Sequence, residues 1–116
     1  MATEASVKWV DGNQFIGTPS SGHGLVIDAD RTRNSGIGPM ELLLLGLGGC
    51  TGTDVVIILQ KKRECVTGLE VQVRGERAST PPTVYAGIHI HYVVTGMQVK
   101  DKSVQDAIQL SQTKYC

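Results

Sequence analysis

The chain carries no excess charge of either sign, because its 11 Lys and Arg balance 11 Asp and Glu. That removes the overall electrostatic footprint of a nucleic-acid or anionic-membrane partner, leaving only local patches. It also provides little colloidal repulsion against self-association. Cysteine is scarce: Cys50, Cys65 and Cys116 form an odd set of 3, which does not fit a secreted disulfide framework. The opening "MATEASVKWV" lacks a basic stretch followed by an apolar core. No signal peptide is visible, and the cytoplasm, where thiols stay reduced, is the expected compartment. Internal repeats and low-complexity segments are absent. The length of 116 residues suits a single domain over 1–116.

What is present is dominated by one apolar stretch, Leu42 to Leu59, whose 18 residues include 4 glycines, Cys50 and Asp54. The length is near the lower limit for a membrane span. A core helix explains the same composition without placing Asp54 in lipid. Pro39 fits the first turn of this helix and Glu41 suits its dipole. The "KKR" run ends it near Arg63. Each glycine disfavours helix by about 1 kcal/mol relative to Ala. Gly46, Gly48, Gly49 and Gly52 together therefore imply close backbone approach or a kink in a central, buried helix.

Around this helix the periodicity changes. "SVKWV", "NQFIG" and "HGLVID" are separated by the turn signals "DGN" and "TPSSG", the pattern of an antiparallel meander. "ADRTRNSGIG" is a polar loop. "GLEVQVRGER" points Leu69, Val71 and Val73 inward, and "TVYAGIHIHYVV" points Ile88, Ile90, Tyr92 and Val94 to one face. The two strands are expected to pair antiparallel across "STPPT", and "TGMQV" breaks the pattern. Asp101 is the expected N-cap of a last helix, with Val104, Ala107, Ile108, Ser111 and Tyr115 forming one stripe. That stripe stops at Cys116 in mid-pattern, without a stop signal.

Few residues carry chemistry. Cys50 reads either as a small buried hydrophobe or as a nucleophile with substrate space left by the flanking glycines. A thiol of ordinary pKa, about 8.5, is a few per cent ionised at pH 7, so complete ionisation raises the reactive fraction only about 30-fold. A fast thiol enzyme needs in addition a charge-stabilising donor, such as an arginine held by a carboxylate. Cys116 reads as a packed residue or as a second thiol able to condense with a sulfenic acid at Cys50, which requires Cα atoms within about 7 Å. Cys65 is expected at the end of the helix, in a structural role. His89 and His91 share a strand face, but no third zinc ligand has suitable spacing. "GLGGC" lacks the preceding strand and following Lys of a phosphate loop.

The segment "GPMELLLLGLGGCTGTDVV" and the ending "SQTKYC" resemble the OsmC/Ohr family, the osmotically inducible and organic-hydroperoxide-resistance proteins. The similarity is strongest to a small OsmC-like branch carrying "PMELLLLGLGGC" and "KYC". It implies an α+β fold, with antiparallel sheets packed around two central helices, and an intertwined homodimer with active sites at the interface. It further implies a thiol-dependent peroxidase, with Cys50 peroxidatic and Cys116 resolving, acting on organic hydroperoxides or hydrogen peroxide in oxidative or osmotic stress defence. A small or protein-bound dithiol would restore the enzyme, without metal or organic cofactor. Active members place a glutamate directly after the proline; here Met40 stands there, and Glu41, one residue later, is the candidate accessory residue. Glu41 lies half a rotation from Cys50 on an ideal helix. The family's N-terminal arginine has no counterpart in "DGNQFIG", and Arg31 and Arg33 replace it by type only. Family members continue past the second cysteine, so truncation after Cys116 is expected. The alternative reading is a non-catalytic OsmC-like dimer that binds a small apolar ligand or senses oxidants; a structural domain with inert cysteines is a third.

Overall fold

In the computed structural model, which describes residues 2–115, alternation builds the strands and a proline starts the long helix. Strands β1 (Ala5–Asp11), β2 (Gln14–Pro19) and β3 (Leu25–Asp28) form an antiparallel meander in the order β1-β2-β3. Helix α1 (Pro39–Lys61) follows, then strands β4 (Cys65–Arg77) and β5 (Tyr85–Met97), paired antiparallel in a second sheet. Helix α2 (Asp101–Leu110) runs directly into a π-helical turn, Ser111–Tyr115. The fold is α+β, with two α-helices and two antiparallel sheets among the described residues. Two compact units divide the chain between Leu43 and Leu44, inside α1.

In the first unit, α1 begins through a capping arrangement. Gly38 is the N-cap, its carbonyl accepting from Leu42 N at 3.0 Å. Pro39 occupies the first helical position, where the missing N–H costs nothing. Glu41, at the third, accepts from Gly38 N at 2.7 Å, the reciprocal half of a capping box. The preceding loop is organised by Asp28, whose side chain is fully buried. Its carboxylate accepts from Asp30 N at 2.9 Å, Ser35 N at 3.2 Å and the Ser35 hydroxyl. Chiefly the Ser35 hydroxyl, then the Asp30 amide, holds this carboxyl below its ordinary range. Strand β1 is exposed along its whole length, and Trp9 is 68 % exposed.

In the second unit, α1 lays one stripe on the β4–β5 sheet and α2. Val55, Leu59 and Ala107 are completely buried, with Leu69, Tyr92, Val94, Val104 and Ile108 around them. Full burial of Val55 and Leu59 contributes about 1.5–3 kcal/mol each. Close approach is set by Gly48 and Gly52, one turn apart. A Cβ on Gly48 would stand 3.1 Å from Val73 Cγ2, and one on Gly52 3.3 Å from Val71 Cγ2. Gly46 and Gly49 face open space. The expectation that this helix is buried is therefore corrected for the single chain: Leu43, Leu45 and Ile57 are all exposed among the described residues. By length and composition alone α1 is long and apolar enough to cross a membrane.

Three local expectations are also corrected. The N-cap of α2 is Lys100, not Asp101; the Lys100 amide donates to Glu64 Oε2 at 3.1 Å, so a residue 36 positions away replaces a local cap. Cys65 does not end the helix but opens β4, opposite Met97. Strand β5 continues through "TGM" to Met97. Helix α1 ends in a Schellman arrangement, Glu64 N donating to Leu59 O and Arg63 N to Gln60 O, both at 3.0 Å, with Arg63 left-handed at φ 60°.

Candidate functional site

Cys50 lies on α1 between Gly49, which faces open space, and Thr51, which is buried. The side chain of Cys50 is exposed and its thiol is free. Its reading as a small buried hydrophobe therefore does not hold in the single chain. Among the described residues Cys50 has no hydrogen-bond partner. Cys116 lies outside the described residues. Cys65 is exposed and free on β4. His89 and His91 are exposed opposite Arg74 and Gln72, and no cluster of three metal-ligating side chains forms among the described residues.

An apolar groove of about 700 Å³ runs between α1 and β4, lined by Leu44, Leu45, Gly48, Val56, Leu69 and Val73 among others. Gly49 lines it too, whereas the Cys50 thiol does not. The volume is in the range of small-molecule pockets.

The arginine and carboxylate that sequence reasoning considered separately are joined in the first unit. Arg31 Nη1 donates to Glu41 Oε1 at 3.1 Å and to Asn34 Oδ1 at 3.2 Å, and Nη2 donates to Gly36 O at 3.0 Å and to the Asp28 carbonyl. A guanidinium has five N–H groups, and these bonds commit the four terminal ones. Arg31 thus fastens the loop before α1, and Glu41 anchors it while capping the helix. Arg33 is similarly engaged: Nη1 donates to Asp11 Oδ1 at 2.6 Å, a bond that raises the guanidinium pKa further.

Sequence reasoning missed a buried hydroxyl chain beside Cys50. Thr51 Oγ1 is 2.6 Å from Tyr92 Oη and 2.8 Å from Ser111 Oγ, and Ser111 Oγ donates to Asp54 Oδ2 at 2.9 Å. Gln112 Nε2 reaches Tyr92 Oη at 3.5 Å. With the Ser111 hydroxyl donating to Asp54 the donor order is fixed, since each hydroxyl carries one proton. Ser111 donates to Asp54, Thr51 to Ser111 and Tyr92 to Thr51. The available signal was Thr51 and Asp54, three residues apart on one face of an otherwise apolar helix; their partners are 41 to 60 residues distant.

Comparison with known proteins agrees with this architecture. Residues 32–116 match the family model described as OsmC-like protein. Protein YhfA of Escherichia coli K12 is 42 % identical over 113 residues, covering 97 % of this chain and 84 % of YhfA. A crystal structure of a protein from Aquifex aeolicus VF5 superposes with TM-score 0.89 at 34 % identity, covering 100 % of this chain and 83 % of the other. An organic hydroperoxide resistance protein OsmC from Legionella pneumophila shares the fold at TM-score 0.71 and 14 % identity, over 96 % of this chain and 82 % of that one. The chain belongs to the OsmC-like protein family.

Proposed function

We propose that the protein is an OsmC-like thiol-dependent peroxidase that reduces organic hydroperoxides or hydrogen peroxide, with Cys50 as the peroxidatic cysteine and Cys116 as the resolving one. The observation that carries this reading is the exposed thiol of Cys50 on an apolar helix, in a chain of the OsmC-like family. The Cys50 thiolate attacks one peroxide oxygen and the O–O bond breaks. The departing alkoxide takes a proton and leaves as alcohol, and two electrons pass from sulfur to the peroxide. The resulting sulfenic acid condenses with the Cys116 thiol, releasing water and forming a disulfide. An external dithiol then reduces that disulfide by exchange. The residues assigned to the thiol chemistry are the two cysteines. Glu41 enters only by holding Arg31, whose terminal N–H groups are already committed. The cytoplasm, with its reducing thiol pool, suits this cycle.

The bare faces of α1 and the exposed length of β1 support a homodimer, in which a second copy covers Leu43, Leu45 and Ile57. Light scattering tests it: a monomer at high micromolar concentration overturns the dimer.

The apolar groove favours a second reading, a non-catalytic dimer that binds a small apolar ligand or senses oxidants. Reduced protein incubated with cumene hydroperoxide and excess dithiol separates the two. The peroxidase consumes peroxide and Cys50→Ser does not; equally slow loss in both leaves the binding reading.

A further inference from the structure

Three candidates stand outside the chemistry described so far: the exposed Cys65, the exposed pair His89 and His91, and the hydroxyl chain linking Tyr92, Thr51, Ser111 and Asp54. Among the described residues the first two belong to no group that points to a ligand. The third is a built element. Thr51 is 1 % and Ser111 0 % exposed, and the chain joins three elements of the second unit: α1, β5 and the π-helical turn.

Its position gives it a use. Thr51 is the residue after Cys50 on α1. Ser111 is the first residue of the turn Ser111–Tyr115, which leads in sequence to the second thiol. Helix α2 changes its winding at Ser111. The Ser111 amide donates to both Ala107 O and Ile108 O, while its hydroxyl bonds Thr51 and Asp54. π-helical turns are rare, and those that occur in helices are frequently at functional sites. Here the hydroxyl chain anchors the turn to the helix bearing the reactive thiol. Val and Ala at these two positions would preserve most of the packing and lose the anchor.

We infer that the Tyr92–Thr51–Ser111–Asp54 hydroxyl chain is the positioning element for closure of the Cys50–Cys116 disulfide: it fixes the register of the C-terminal turn against α1 and so sets the encounter of the two sulfurs. These are positioning residues: among the described residues their hydroxyls and carboxylate bond one another and not the Cys50 thiol. The inference rests on the roles proposed above for the two cysteines. Mispositioning by about 1 Å can slow an intramolecular step by about 100-fold; ring closure needs both sulfurs placed, whereas the first attack needs only Cys50, so the inferred effect falls on ring closure.

The test uses the 116-residue chain with Cys65→Ser, which leaves Cys50 and Cys116 as its two thiols, and one equivalent of an aromatic disulfide with a coloured thiolate product (dithio-bis-nitrobenzoate). The first thiol displaces one aromatic thiolate and keeps the other as a mixed disulfide. The second protein thiol then attacks that mixed disulfide, forms the Cys50–Cys116 bond and releases the second aromatic thiolate and a proton. Thr51→Val and Ser111→Ala are expected to slow the second release by about 10-fold or more and leave the first within about 2-fold. Thr51→Ser, which restores a hydroxyl, returns the second release to near the parent rate. Melting curves verify folding, and Ser111→Ala, the smaller change, stands in if Thr51→Val does not fold.

Ring closure at the parent rate in both variants overturns the inference, as does a Thr51→Ser chain as slow as Thr51→Val. If the parent itself never releases the second thiolate, the resolving role of Cys116 and the inference fall together. If the parent closes the ring but does not consume cumene hydroperoxide, the peroxidase reading falls and the positioning role stands.

Discussion

Thr51→Val should destabilise the folded chain by about 2 kcal/mol, although the two side chains have nearly the same shape. Thr51 Oγ1 makes hydrogen bonds to Tyr92 at 2.6 Å and Ser111 at 2.8 Å, and a buried hydrogen bond contributes about 1 kcal/mol net. Valine leaves the Tyr92 hydroxyl without its acceptor and Ser111 without its donor. Ser111→Ala removes the bond to Thr51 and the bond to Asp54, again about 2 kcal/mol. The double variant loses three bonds rather than four, because the Thr51–Ser111 bond is shared. The cost is then about 3 kcal/mol and the coupling between the sites about 1 kcal/mol. Urea unfolding followed by circular dichroism measures this as a shift in midpoint at constant slope. Protein concentration must be constant throughout, since a second copy bound to the native state would add concentration-dependent stability. Thr51→Val within 0.5 kcal/mol of the parent, or full additivity of the two single changes, would refute the geometry from which these values are derived.

Arg63→Gly should stabilise the protein by about 0.5–1 kcal/mol, since a left-handed residue at the end of α1 favours glycine; an unchanged urea midpoint contradicts this. The Asp28 carboxyl, held below its ordinary range by Ser35 and the Asp30 amide, gives stability that is fully present above the unfolded carboxylate range, about pH 4. The unfolded chain binds the proton first on acidification, so this stability is lost as pH falls through the lower folded value. Asp28→Asn should flatten the acid limb of the stability profile, and parallel limbs would contradict the assignment. Gly48→Val should cost about 1–3 kcal/mol by forcing α1 from Val73; a neutral result in thermal melts would show that the helix and strand can separate freely.

Periodic elements were legible because their signals are local. The alternation in "SVKWV" and "GLEVQVRGER", Pro39 at the helix start and the stripe from Val104 to Ser111 all have structural counterparts. What was hidden depends on distant partners. Asp101 had the composition of a cap, but Glu64 supplied the acceptor at Lys100. Glu41 was legible as an early acidic residue, whereas its bond to Arg31 depends on how a loop without periodicity folds back. The apolar circumference of α1 read as burial because composition records what a helix would bury and not which molecule covers it. Cys50 was visible as a candidate thiol, but the hydroxyls beside it looked like interruptions of an apolar run.

Asp54 also matters before the native structure exists. While α1 is emerging from the ribosome, Ser111 has not yet been synthesised, and by length and composition alone this segment is long and apolar enough to cross a membrane. An aspartate inside such a segment opposes insertion, by about 2.5–3.5 kcal/mol at the very centre and by less at the position of Asp54 in the second half of α1. The carboxylate that later anchors the hydroxyl chain is therefore expected to oppose insertion as well during synthesis. Asp54→Leu should move the newly made chain into the membrane pellet when it is translated with vesicles, and equal partitioning of parent and variant would deny the carboxylate that part.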